Sequence, residues 1–294
     1  MGSSAIVYLN GAFVSADQAV VPVTDRGFLY GDSVFETVRA YGGHVFSGTD
    51  HFHRLAASAT ALGIPLPFGE DEFLATLDRL MALNNLENAM VRVTVSRGSG
   101  PAPVPDPSGC KSPTVVAMVR PASLADADWS HGIGAVVVPV QATPKAVLNP
   151  AIKSGNFLSH VMAIAHAKSH GDSDAHGGVE AILLDAKGHV AEGAVSNVFG
   201  VWNGTLNTPP DGDILPGITR KVVLDLAHTL AIPVREGVIN GQDLKDADEL
   251  FVTNSGWEVM PVTRLNGIPL GNGEPGPITR RLHEAYRKKV MAAC

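Results

Sequence analysis

Lys153 is the side chain of this sequence best placed to act as a nucleophile. It lies in Asn149-Pro-Ala-Ile-Lys-Ser-Gly-Asn-Phe-Leu158, a lone cation in a run of small and apolar residues. A lysine that loses water loses part of its preference for the charged form, and a neutral amine condenses with an aldehyde as a Schiff base. Glu192 sits in the glycine-flanked turn Ala191-Glu-Gly-Ala194 among apolar neighbours. A carboxylate there needs a partner, and a pyridinium nitrogen would serve. Leu215-Pro-Gly-Ile-Thr-Arg220 opens a helix, which gathers backbone N–H groups and the Thr219 hydroxyl into an anion site. Thr253-Asn-Ser-Gly256 adds a hydroxyl and turn amides at a strand end, and Arg54 offers a planar fork for the same phosphate. Each feature alone has an ordinary explanation: a solvated lysine, a turn glutamate, a helix-capping threonine. Together, an amine, an acid and a phosphate cradle are what pyridoxal phosphate requires.

The elements that must position these groups can be read from periodicity. Ser33-Val-Phe-Glu-Thr-Val-Arg39-Ala-Tyr alternates as a strand, with Phe35, Thr37 and Arg39 on one face and Val34, Glu36 and Val38 on the other. Met90-Val-Arg92-Val-Thr-Val-Ser96 alternates in the same way, which puts Arg92 on its polar face. A helix from His51 buries Phe52, Leu55, Ala59 and Leu62 and leaves Arg54 near the edge of that stripe. A second helix covers about 71–83. After Lys153, the spacing of Phe157, Leu158, Val161, Ile164, Ala165 and Lys168 predicts a helix ending near His170, with Asn156 at its N-cap. Asp25-Arg-Gly-Phe-Leu-Tyr30-Gly-Asp32 reads as a loop, and Asn10-Gly11 and Asn203-Gly204 read as hairpin turns. Many hairpins with segregated helices indicate an α+β fold. Pro121 to Trp129 has the composition of a linker, which divides the chain into an N-terminal α+β domain (1–122), a linker (123–130) and a C-terminal domain (131–294) carrying the lysine.

With 294 residues, 45% of them hydrophobic, the chain is long enough for two cored domains. A net charge of −7 favours neither nucleic acid nor an anionic membrane. No apolar run reaches the length of a membrane helix, and the N-terminus has no signal-peptide pattern. The distant cysteines Cys110 and Cys294 do not form a disulfide framework, so a cytoplasmic protein is expected. His166 and His170 lie four apart on one helix without a carboxylate or cysteine at ligand spacing, so no metal site is expected.

The chain resembles the fold type IV pyridoxal-phosphate enzymes, which include branched-chain aminotransferases, D-amino acid aminotransferases and aminodeoxychorismate lyases. The resemblance rests on Tyr30-Gly-Asp-Ser-Val-Phe-Glu-Thr-Val-Arg39, His51-Phe-His-Arg-Leu55, Lys153-Ser-Gly-Asn-Phe-Leu158, Ala191-Glu-Gly-Ala-Val-Ser-Asn-Val-Phe199, Leu215-Pro-Gly-Ile-Thr-Arg220 and Phe251-Val-Thr-Asn-Ser-Gly-Trp-Glu-Val-Met-Pro261, in the family's order. It implies two α+β domains with the cofactor between them, and a homodimer in which a partner loop closes the pocket. It also implies that Lys153 holds pyridoxal 5′-phosphate as a Schiff base and shuttles the proton, and that Glu192 pairs with the pyridine nitrogen. Arg54, Ile218, Thr219 and Ser255 match phosphate-binding positions, and Ser196 and Asn197 fall within the cofactor-binding motif. Tyr30, Phe35, Thr37, Arg92, Gly256 and Trp257 match substrate positions.

The implied reaction moves an amino group between an amino acid and a 2-oxo acid by a ping-pong route. A mostly apolar set of Phe35, Met90 and Trp257, with Arg92 for a carboxylate, favours branched-chain or other apolar substrates. Departures keep two alternatives in view: a pyruvate-releasing aminodeoxychorismate lyase, and a D-amino acid or (R)-amine aminotransferase. Phe157 stands where the branched-chain enzymes often have a tyrosine, Thr37 where they usually have glycine, and Ser255 where they have threonine. Ala102-Pro-Val104 replaces the Arg and His by which the D-amino acid enzymes trap a carboxylate.

Overall fold

The computed structural model describes residues 5–101, 104–122, 126–170 and 178–293. By its contacts the chain forms two compact units, one of residues 1–123, 152–157 and 290–294, the other of residues 124–151 and 158–289. The first contains β1 (Ile6–Leu9), β2 (Ala12–Ser15), α1 (Arg26–Tyr30), β3 (Ser33–Tyr41), β4 (His44–Val45), α2 (Gly48–Leu62), α3 (Glu70–Leu83), β5 (Ala89–Ser96) and β6 (Thr114–Pro121). The second contains α4 (Asp126–His131), β7 (Ile133–Gln141), α5 (Leu158–His170), β8 (Val179–Leu184), β9 (Val190–Gly193), β10 (Asn197–Trp202), β11 (Thr205–Thr208), α6 (Ile218–Thr229), β12 (Val234–Glu236), β13 (Glu249–Asn254), β14 (Glu258–Leu265), β15 (Ile268–Pro269) and most of α7 (Pro277–Ala293). The fold is mixed α+β.

In the first unit the strands form an antiparallel sheet in the order β2-β1-β6-β5-β3-β4. Its turns follow the sequence: Asn10 and Gly11 both have positive φ, 48° and 92°, as a tight right-twisting hairpin requires. β3 and β5 pair with Phe35 opposite Thr94, Thr37 opposite Arg92 and Arg39 opposite Met90. Val34, Val38, Val91, Val93 and Val95 form the other face and pack with Leu55 and Ala59 of α2 and Phe73, Leu77, Leu80 and Met81 of α3. That burial is the main stabilisation of the unit, at about 25 cal/mol per Å² of apolar surface. Glu36 shares this core-side face and is fully buried, so its charge must be neutralised within the unit.

The second unit is built on a nine-stranded mixed sheet in the order β12-β11-β10-β13-β14-β7-β8-β9, with β15 added to β14. One core cluster joins Ile133, Ile182, Val198, Leu250, Val252 and Val262. Another packs Ala163 and Ala167 of α5 against Val136, Val138, Ala181 and Leu183.

The elements differ from expectation in five places. Residues 25–32 contain a helical turn, because the Asp25 carboxylate accepts from the Gly27 amide and Gly31 closes the turn at φ 67°. The segment read as a linker includes α4, which Trp129 anchors by donating from Nε1 to the Val259 carbonyl (2.6 Å) and stacking on His283 at 3.9 Å. Asn156 is not the N-cap of α5; its side-chain amide donates to Gly31 O (3.2 Å). The buried side of α5 is Ala163 and Ala167, whereas Leu158 and Val161 are exposed. The lysine segment, expected in the C-terminal domain, belongs with the first unit. There Phe35 N donates to Lys153 O (3.0 Å), Gly155 N donates to Ser33 O (2.7 Å), and Ser154 bridges to Val34. No helix of the described residues is long and apolar enough to cross a membrane.

Candidate active site

In the first unit, residues 152–157 run beside the start of β3, and the Lys153 amide is tied to Ser58 Oγ at 3.1 Å. The Lys153 amine stands 4.7 Å from the centroid of the Phe35 ring, and the Arg92 guanidinium lies on the same ring at 3.7 Å. Phe157 packs edge-on to Phe35 with centroids 5.2 Å apart. One aromatic ring thus carries two cations and a second ring. Desolvation pushes the Arg92 pKa down, an environment in which a carboxylate partner is favoured. Thr37 is half-buried opposite Arg92. Tyr30 ends α1, with the Arg26 guanidinium 4.8 Å from its ring. Arg26 in turn donates to Asp32 (2.8 Å) and to the carbonyls of Val104, Pro105 and Asp106. Of the loop positions weighed in the sequence, 102 and 103 lie outside the described residues.

Arg54 is paired within the first unit. Its Nε donates to Glu36 Oε1 (2.7 Å) and its Nη2 to Oε2 (2.8 Å), so the side-on edge of the fork faces a carboxylate within the protein. His51 Nδ1 is 2.7 Å from Glu36 Oε2. Burial by itself would raise the Glu36 pKa, but the charges and hydrogen bonds of Arg54 and then His51 outweigh it and hold the carboxyl well below the usual range. An ionised carboxylate only accepts, so His51 Nδ1 carries the proton. Desolvation lowers the His51 pKa; Glu36 opposes that shift, and the Arg54 and Lys153 charges add to it. Neither Glu36 nor His51 stands out as a site residue from its motif alone. The signal in the sequence was a glutamate on an otherwise valine-lined face, with cationic residues on the next helix.

In the second unit, Glu192 on β9 accepts from the Leu215 amide (3.2 Å), and the Asn197 side-chain amide donates to the Leu215 carbonyl (2.9 Å). These bonds hold the Leu215-Pro216-Gly217 turn that leads into α6. Gly217 is the N-cap and supplies no side-chain acceptor to the first-turn amides. A Cβ at Gly217 would collide with Asn197 Oδ1, so the close approach requires glycine. Ile218 and Thr219 are buried in the first turn of α6. Thr253 pairs in register with Asn197, and its buried hydroxyl has no hydrogen-bond partner among the described residues.

Two further sets of contacts involve residues singled out in the sequence. Ser196 Oγ donates to the buried Glu180 carboxylate (2.7 Å), so that hydroxyl is engaged within the protein. The amides of Gly256 and Trp257 donate to Asn254 Oδ1 (2.9 and 2.7 Å), which directs them into their own turn. Asn254 also donates to the Val195 carbonyl (3.2 Å), tying this turn to residues 193–196. Ser255 is half-buried at the tip of the same turn.

The first unit thus offers a lysine amine on an aromatic floor, and the second offers a carboxylate beside a helix-leading turn and a helix N-terminus capped by glycine. Residues 33–265 match the Amino-transferase class IV family, and the chain belongs to it. Over 284 residues it is 42% identical to the Methanocaldococcus jannaschii protein named "Putative branched-chain-amino-acid aminotransferase", covering 96% of this chain and 95% of that one. It is 32% identical to D-alanine aminotransferase of Staphylococcus haemolyticus, covering 97% of each. The structure of the Escherichia coli branched-chain amino acid aminotransferase superposes with a TM-score of 0.90 at 33% identity, covering 97% of this chain and 94% of that one. A branched-chain amino acid aminotransferase from T.th., solved with pyridoxamine 5′-phosphate, gives 0.91 at 28% identity, covering 99% and 95%.

Enzymes of this class use pyridoxal 5′-phosphate, and the residues present fit it. The orphaned Thr253 hydroxyl and the glycine-capped start of α6 suit a phosphate, and the donor set includes an amine, a carboxylate and a guanidinium.

Proposed function

We propose that this enzyme transfers the amino group of a branched-chain or other apolar amino acid to a 2-oxo acid in two half-reactions. The observation that carries this reading is the Phe35 ring with Lys153 and Arg92 on it. It combines a reactive amine, an apolar surface for a side chain and one desolvated cation for a carboxylate. The branched-chain aminotransferases among the relatives support it.

When bound, pyridoxal phosphate supplies the carbonyl that takes up the amino group and the electron-withdrawing ring that eases loss of the α-proton. Lys153 holds the cofactor through Nζ and then moves a proton to and from the substrate carbon. Glu192 pairs with the pyridine nitrogen, and Arg54, Ile218, Thr219 and Ser255 take the phosphate. Asn197 acts by holding the Leu215 turn, and Ser196 by tying its own turn to Glu180. Tyr30, Phe35, Thr37, Arg92, Gly256 and Trp257 line the substrate position. The exposed Val20, Val23 and Phe28 support a homodimer.

The test is absorbance of the purified enzyme with single amino acids and no acceptor. Bleaching of the cofactor's visible-edge band by leucine, isoleucine or valine, with one 2-oxo acid released per site, is expected. Lys153→Ala abolishes it. Faster bleaching by D-alanine than by any L-amino acid would sink the substrate assignment. No bleaching by either hand would sink the transfer itself and favour the lyase.

A further inference from the structure

We propose that Glu36 is a positioning residue for cofactor binding, locking the Arg54 guanidinium in the orientation that receives the phosphate. The inference rests on reading Arg54 as a phosphate residue. Glu36 sits on β3 with no exposed surface, and Arg54 on α2 has only 9% of its side chain exposed. The two hydrogen bonds of 2.7 and 2.8 Å engage the Nε–Nη2 edge. The planar fork therefore turns its Nη1 end away from that carboxylate. A third bond, from His51 Nδ1, fixes the carboxylate itself, so neither Glu36 oxygen is left to rotate the pair.

An arginine side chain ordinarily has rotamer freedom to lose on binding an anion. Here that loss is taken in folding, before a ligand arrives, which is how preorganisation raises affinity. A simple counter-charge would not require bidentate geometry, nor a histidine to hold the carboxylate in place.

A phosphate-specific effect separates this role from a general part in the fold. The full chain, stripped of cofactor, is titrated with pyridoxal 5′-phosphate and with pyridoxal, which lacks the phosphate. Glu36→Gln, Arg54→Gln and the double variant are compared with the parent by the ratio of the two dissociation constants. The expected result is a loss of roughly tenfold or more in pyridoxal 5′-phosphate affinity for Glu36→Gln, with pyridoxal little changed. The double variant should be no weaker than Arg54→Gln, since both changes remove one device.

If Arg54→Gln shifts the ratio and Glu36→Gln does not, the inference falls while the reading of Arg54 stands. Equal weakening toward both ligands by Glu36→Gln also overturns it, as the mark of a purely structural residue. If Arg54→Gln leaves the ratio unchanged, the phosphate reading itself falls and takes the inference with it. Should Glu36→Gln fail to fold, Glu36→Asp decides by the same ratio. It keeps the charge but shortens the reach, so a shift smaller than that of Arg54→Gln supports the proposal and no shift overturns it.

Discussion

Glu180 and Glu36 are both buried carboxylates, and their surroundings drive them in opposite directions. Glu36 is paired with a guanidinium and held well below the ordinary range. Glu180 is bonded instead by a hydroxyl and backbone amides. Desolvation raises its pKa, and hydrogen bonds from Ser196 and the amides of Ala181, Val195 and Ala194 only partly oppose this. A raised folded-state value means that the stabilising contribution is complete below the unfolded glutamate pKa of about 4.3 and is lost as pH rises through the folded value. Glu180→Gln keeps an acceptor beneath the 193–196 turn without a charge to ionise. Its melting temperature should therefore climb relative to the parent as pH rises from about 4 toward 8. An offset that stays constant with pH would contradict this account. For Glu36 the sign is reversed: its contribution is intact above the unfolded value and is lost only as pH falls far below it.

At the scale of elements, the start of α6 depends on a close approach that a single methyl would destroy. Gly217→Ala drives a Cβ into Asn197 Oδ1, and Asn197 Nδ2 holds the Leu215 carbonyl. The expected outcome is a loss of about 1–3 kcal/mol in stability, as for other overpacked sites, together with weaker cofactor binding. Chemical denaturation and cofactor titration would check the two effects. Much of this architecture was legible in the sequence. The alternation of β3 and β5 correctly placed Phe35 and Thr37 on one face and Val34 and Glu36 on the other, because strand geometry has period two. The anchoring of α4 was not legible, since Trp129 finds the Val259 carbonyl far along the chain. Nor was the buried side of α5, where small alanines do the packing and larger apolar residues stay exposed. The partners of Ser196, Gly256 and Trp257 were hidden for the same reason. Motif spacing marks a residue as near a site but does not say whether its polar atoms turn inward.

At the scale of the whole molecule, the chain leaves its first unit, returns to it for residues 152–157 and departs again. Phe35 receives its Lys153 acceptor across more than a hundred residues of intervening sequence. Such long-range closures form late, because their entropy must be overcome before the contact gives anything back. In refolding from denaturant, helical circular dichroism should therefore recover before the capacity to bind the cofactor. Simultaneous recovery of both signals would argue against it. The same connectivity has a consequence during synthesis. A nascent chain on the ribosome has every strand of its first sheet in hand before Ile152 has been added. The ring that seats the amine is therefore built into its sheet before the amine itself exists.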